Sequence, residues 1–271
     1  MISGVADRAL AVRIERHWAH DEAVFSRALD DSWGAVTFSL ADGEVVLDGP
    51  GLFVNRALGL GIDTEVGDDE LDELEARSMA LDVPAQVEVT ALTSPGLVEL
   101  LRARDYVEVQ RTVVMAMELS GAGTYRAPAD GVVVEAVDDA SLPVWMDTAA
   151  AAWGHATAER RSASDAFARA AHIVDRPGLL LARSITDRRP LGCATLKARE
   201  GLAALGGMST LPKERRRGVQ AALVHHRLDL AAELGCDLAA TSAAEGSPSA
   251  RNLQRLGFFR SHIKVGFERK R

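Results

Sequence analysis

Apolar and polar positions change their spacing several times along the chain, and each change predicts an element. From residue 132 onward the pattern is sharp. "VVVEA" (Val132–Ala136) is a β-branched block and predicts a strand. Leu142–Trp153 and residues 164–174 place apolar side chains at three- and four-residue spacing, which predicts two helices, the second capped by Ser164. Three strands are predicted at 178–184, 190–198 and 202–210, joined by short polar turns. A helix then runs from Gly218 to Leu234 on a stripe of Val219, Ala222, Leu223, Leu230 and Leu234, and Gly235 stops it. A strand at 237–241 follows, then a short helix with Ser247 as cap and Pro248 in its first turn. The tail 258–269 alternates as a terminal strand or hairpin.

The first half repeats this order more faintly. A helix is predicted over residues 22–29, a hairpin over 34–49 with its turn at 41–43, and a third strand within 49–61. Helix, strand, helix and strand then follow at 68–82, 85–92, 94–106 and 108–119. Ser94-Pro95 aligns with Ser247-Pro248, and Asp105-Tyr106 with Gly257-Phe258, which points to an internal duplication. "SGAGTYRAPADG" (residues 120–131) is small, polar and rich in Gly, Ala and Pro, and reads as a linker. The expected organisation is a first domain 1–119, a linker 120–131 and a second domain 132–271.

Composition narrows the function. The net charge of −8 over 271 residues argues against a nucleic-acid partner, which would favour a basic chain. Cys193 and Cys236 stand in apolar surroundings and are expected to be buried thiols. There is no CxxC, no HExxH and no Cys/His cluster, so no metal site is expected. No window approaches the ~18 apolar residues of a membrane span. The expectation is a cytoplasmic protein without a membrane partner.

One stretch carries chemistry. In "PKERRRGVQAALVHH" (residues 212–226) three arginines and a glycine precede a helix. The first amides of a helix have no intrahelical acceptor and lie at the positive end of its dipole, so they suit an anion. Gly218 allows a tight turn, and Arg215, Arg216 and Arg217 add charge and forked donors. A Walker loop needs GxxxxGK followed by Ser or Thr, which is missing, and "GLGIDT" (59–64) lacks the third glycine of a dinucleotide loop.

"MSTLPKERRRGVQAAL" resembles motif A of the GNAT superfamily, the acyl-CoA-dependent N-acetyltransferases, in which Q/R-x-x-G-x-G/A joins a strand to a helix. Arg215 takes the Q/R position and Gly218 the glycine. "SPSARNLQRLGF" resembles the last helix of that family with its LGF ending. The resemblance covers residues 132–271 and implies an α+β fold of two GNAT-like halves. Each half would have a mixed, mostly antiparallel central sheet flanked by helices, the first a degenerate copy. It implies acetyl-CoA as cosubstrate and an acetyl transfer to a primary amine, carried by a small molecule or a peptide; a homodimer is compatible with it. It also implies that the amides of Arg216, Arg217, Gly218, Val219, Gln220 and Ala221 hold the pyrophosphate. The backbone of Met208 and Thr210 would pair with the pantetheine arm, as a peptide adds to a sheet edge, and Asn252 would add a polar contact.

Two positions depart from the family pattern. Gln220 stands where Gly or Ala is usual, and Leu253 stands where a tyrosine often protonates the leaving thiolate. Three side chains are candidates for proton transfer. His155 and Glu159 are four apart and share a face if "WGHATAER" is helical, and Glu245 lies in the loop after residues 237–243. Their alternative reading is surface pairing. The acidic stretch 62–75 would repel a pyrophosphate, so the first half is expected to contribute structure or one wall of the acceptor site. The alternative for the whole chain is a non-catalytic acyl-CoA-binding or sensing module. A structural, partner-binding protein with a vestigial loop is the further rival.

Overall fold

The computed structural model of the chain describes residues 7–29, 33–121, 123, 125, 131–155 and 157–270. The first elements are α1 (Arg8–Ser26), β1 (Val36–Leu40), β2 (Gly43–Leu47), β3 (Asn55–Leu58), α2 (Asp68–Ala80), β4 (Gln86–Thr90), α3 (Pro95–Ala103) and β5 (Tyr106–Glu118). Then come β6 (Val132–Ala136), α4 (Leu142–Trp153), α5 (Ala158–Val174), β7 (Leu179–Ser184), β8 (Pro190–Arg199) and β9 (Leu202–Thr210). The last are α6 (Val219–Glu233), β10 (Leu238–Ala244), α7 (Pro248–Arg255) and β11 (Phe259–Arg269).

These form two compact units, residues 1–116 with 242–271, and residues 117–241. In the first, the strands lie in the order β1-β2-β3-β4-β11-β5. β1, β2 and β3 form an antiparallel meander, with Leu40 opposite Gly43 at the first turn. The chain then crosses through α2 to β4, parallel to β3, with Ala57 opposite Val87. β11 runs antiparallel to β4 on one edge and to β5 on the other. Ile14, Leu71, Leu74, Leu97, Leu101 and Met115 fill its core, each fully buried. Burial of such a side chain stabilises by about 1.5–3 kcal/mol.

In the second unit the order is β10-β9-β8-β7-β6. β6 to β9 are antiparallel neighbours, and α6 carries the chain across to β10, parallel to β9. Val219 and Leu223 of α6 pack on Leu180, Ala182, Leu191 and Ala194 of the sheet. The plan of meander, crossover helix and parallel strand is thus present in each unit, in accord with the duplication read from the sequence.

The structure divides the chain differently from the sequence-based boundaries. Residues 242–271 pack in the first unit because both ladder partners of β11 belong there. Two helix starts also move. α1 covers residues 8–26, whereas the pattern predicted 22–29, because buried Glu15, His17 and Asp21 interrupt its mostly alanine apolar positions. α5 begins at Ala158 with Thr157 accepting from the Arg160 amide, and Ser164 is a buried residue inside it. The tail is one strand. Ser247 caps α7 by accepting from Ala250 N–H at 3.2 Å, with Pro248 in the first turn, as predicted. Cys193 and Cys236 are buried and not in a disulfide. Among the described residues no helix is long and apolar enough to cross a membrane, and no group of three or more His, Cys, Asp or Glu could hold a metal ion.

Candidate functional site

The second unit holds the loop singled out in the sequence. β9 and β10 are paired only at Leu202–Leu238, Ala203–Ala239 and Ala204–Ala240. Beyond that point β9 stays bonded to β8, and its other edge runs on unpaired with β10. Thr241 Oγ1 donates to Leu205 O at 2.8 Å where the two strands part.

An irregularity in β9 accompanies the separation. Cys193 faces Ser209 but Thr195 faces Gly206, so β9 has one extra residue over this interval. Such a bulge bends its strand and re-aims its peptide groups. Gly207 adopts φ +46° there, and a Cβ on it would lie 2.9 Å from Thr195 Oγ1. The Gly206-Gly207 pair therefore permits both the bulge and the approach of β8.

β9 delivers the chain, through a short turn at Pro212–Glu214, to α6. Arg216 at φ +65° and Gly218 at φ +78° are both left-handed, and α6 begins with no side-chain cap. The amides of Val219, Gln220 and Ala221 precede the first intrahelical donor, Ala222 N–H, which reaches Gly218 O at 3.0 Å. Arg215, Arg216, Arg217 and Gly218 are exposed, and Gln220 and Ala221 are partly so. Arg217 Nη1 donates to Glu214 Oε2 at 2.7 Å, and Arg189 lies 3.5 Å from the same carboxylate. This turn combines a helix start without a side-chain cap, left-handed corners and positive charge, a combination that suits an anion. Met208, Ser209 and Thr210 are half-buried near the end of β9.

The same strand rests on a residue that the sequence reading passed over. Arg227 of α6 is 1% exposed. Its Nη1 donates to Thr195 O and Gly206 O, both at 3.1 Å, its Nε to Leu223 O at 3.1 Å, and its Nη2 contacts Met208 Sδ at 3.0 Å. Burial pushes its pKa down to about 9, so it remains a cation at neutral pH. The signal was present: position 227 is four residues after Leu223, on the helix's inward stripe, where a charge is out of place.

The proton-transfer candidates are dispersed. α4 ends at Trp153 with Gly154 left-handed at φ +73°, so His155 follows a helix stop and shares no helical face with Glu159. The His155 ring packs on Trp153 with centroids 5.7 Å apart. Burial, then the nearby Arg160, lowers its pKa and favours the neutral imidazole. Glu159 is exposed in the first turn of α5, and its backbone amide and the Thr157 hydroxyl hold its pKa below the ordinary value. That placement suits a helix-end carboxylate better than a base. Glu245 and Asn252 belong to the first unit. Glu245 pairs with Arg260 at 3.2 Å, and Asn252 Oδ1 accepts from Arg255 at 2.8 Å. Leu253 is 3% exposed, a core side chain. Asn55 clamps its own loop, bonding Gly49 through N–H and C=O and also Leu52 O.

Residues 142–258 match the acetyltransferase (GNAT) family model. A GCN5-related N-acetyltransferase from Kribbella flavida is 21% identical with a TM-score of 0.68, over 96% of each chain. One from Sphaerobacter thermophilus is 19% identical with a TM-score of 0.61, over 79% of this chain and 71% of that one. A tandem GNAT protein from the clavulanic acid biosynthesis pathway is 13% identical with a TM-score of 0.56, over 84% and 73%. These likenesses are of fold. No curated protein matches in sequence.

Proposed function

From the match of residues 142–258 to the GNAT family model, we propose that the chain is an N-acetyltransferase that uses acetyl-CoA and acts on a primary amine of a small molecule or peptide. The observation that carries this reading is the uncapped start of α6, with left-handed Arg216 and Gly218, at the end of a strand that has parted from its parallel neighbour. Acetyl-CoA, when bound, supplies an activated acyl group as a thioester. The amides of residues 216–221 and the guanidinium groups of Arg215, Arg216 and Arg217 would hold its pyrophosphate. The backbone of Met208 and Thr210 would pair with its amide-bearing arm. His155, neutral near pH 7, is the strongest of the three candidates for accepting the amine proton, directly or through water. Glu159 and Glu245 are already engaged in other contacts.

A second reading, a non-catalytic acyl-CoA-binding or sensing module, is favoured by one observation. Leu253 is buried at the position where the family often has a tyrosine. Titration calorimetry with acetyl-CoA, followed by thiol release in the presence of a panel of amines, tests both. Binding with turnover supports the transferase. Binding without release from any amine supports the module. No binding removes both.

A further inference from the structure

A buried arginine normally has a carboxylate beside it, because an isolated buried charge is costly. Among the described residues Arg227 has none for a partner: it meets two strand carbonyls, a helix carbonyl and a thioether. The adjacent Cys193 thiol is itself pushed up to about 12 by burial and stays neutral. A leucine would satisfy the packing of α6 at this position, so a cation needs another explanation. The two carbonyls that share Nη1 come from β8 and β9 at the bulge. A trans peptide aims its C=O and N–H in opposite directions. Holding Gly206 O toward α6 therefore fixes the Gly207 N–H away from it.

We propose that Arg227 is a positioning residue for acyl transfer. It locks the Gly206-Gly207 peptide so that the bulge presents an oriented amide to the thioester carbonyl, and it adds unneutralised positive charge behind that amide. The assignment rests on the acetyltransferase reading. Arg227 itself does not touch substrate. A preorganised donor aimed at developing charge is where such a device acts on the rate.

The test uses the full chain and acetyl-CoA labelled with carbon-13 at the thioester carbonyl, followed by isotope-edited infrared spectroscopy. The wild-type carbonyl band is expected below that of free acetyl-CoA. In Arg227→Met it returns to the free position, while the calorimetric affinity changes by less than about threefold because the pyrophosphate turn is untouched. Turnover with a responsive amine falls on the order of thirtyfold, in kcat and not KM. Arg227→Lys keeps the cation but loses the fork that spans both carbonyls, and its band lies between the two. If circular dichroism shows Arg227→Met unfolded, the lysine variant decides alone. Identical bands in wild type and folded variant overturn the proposal, and so does a joint loss of band shift and affinity, which would mean general damage. If wild type binds no acetyl-CoA, the acetyltransferase reading fails first and the proposal with it.

Discussion

Gly218→Ala separates what the arginine-glycine turn does for the fold from what it does for a ligand. Gly218 sits at φ +78° and ψ −3°, in the left-handed region, at the start of α6. A side chain there costs about 1–2 kcal/mol, which lowers the melting temperature by roughly 2–4 °C per kcal/mol. The other end of the same helix provides a control. Gly235 has φ +82° with nothing within 4 Å of an added Cβ, so Gly235→Ala carries the same backbone penalty. The ligand effects should differ. A strained corner at residue 218 re-aims the first helix amides, and a hydrogen bond to a charged group is worth about 1.5–3 kcal/mol. Loss of one such bond weakens acetyl-CoA about 10- to 100-fold. The expected result is two variants with similar melting temperatures by differential scanning calorimetry. Only Gly218→Ala should show weakened acetyl-CoA binding by titration calorimetry. Equal affinities in the two variants would refute the idea that this turn is the pyrophosphate cradle.

Arg217→Glu should weaken acetyl-CoA more than about tenfold, less so at high salt. Glu214→Gln, which frees Arg217 from its 2.7 Å pair, should tighten binding slightly in the same titration. Burial raises the pKa of Glu88, but Lys264 and Arg56 outweigh it and hold the carboxyl at about 2 against an ordinary 4.5. A lowered folded pKa contributes stability above the unfolded value, so this contribution should be lost as pH falls from about 4.5 to about 2. Urea unfolding across that window tests it, and Lys264→Met, which leaves Glu15 and Glu88 without their shared cation, should cost about 3–5 kcal/mol at pH 7. A chain of residues 132–271 alone should fail to give a cooperative thermal transition by circular dichroism, because β11 would lose both of its ladder partners.

What could be read from the sequence follows from how local its physics is. α4, β6 and β9 came out with the predicted bounds because their apolar spacing or β-branched blocks are contained within each segment. α7 was legible from Ser247 and Pro248, a cap and a first-turn proline acting within three residues. α1 was started too late because buried polar residues break up its inward face: Glu15 meets His262 at 2.8 Å and Lys264 at 3.3 Å, partners some 250 residues away. The start of α5 was missed because Arg161 reads as loop until Asp147 and Asp165 are seen to hold it. The placement of β11 between β4 and β5 depends on which strand edges are free, and no segment encodes that on its own. In the candidate site, the turn at residues 215–218 announced itself by composition. Arg227 showed only as a charge on an inward stripe, and its partners, backbone carbonyls, are nothing a sequence displays.

The two crossover helices show why only one of them should hold an anion. α2 and α6 occupy matching places, each after a meander and before a parallel strand. At α2 the Glu70 carboxylate turns back to accept the Gly67 N–H at 2.9 Å, and Asp68 and Asp69 stand in the same first turn. That helix start is already neutralised by its own side chains, in the manner of a capping box. A phosphate brought within about 4 Å of one more carboxylate would meet a repulsion of about 4 kcal/mol near a protein surface. At α6 the first turn has no acid, the cap is a left-handed glycine, and three arginines precede it. Both units have the same strand-helix-strand frame, and the charges at the helix start decide which frame is a site. The expected calorimetric stoichiometry is therefore one acetyl-CoA per chain, and two would mean that the acidic end of α2 can open.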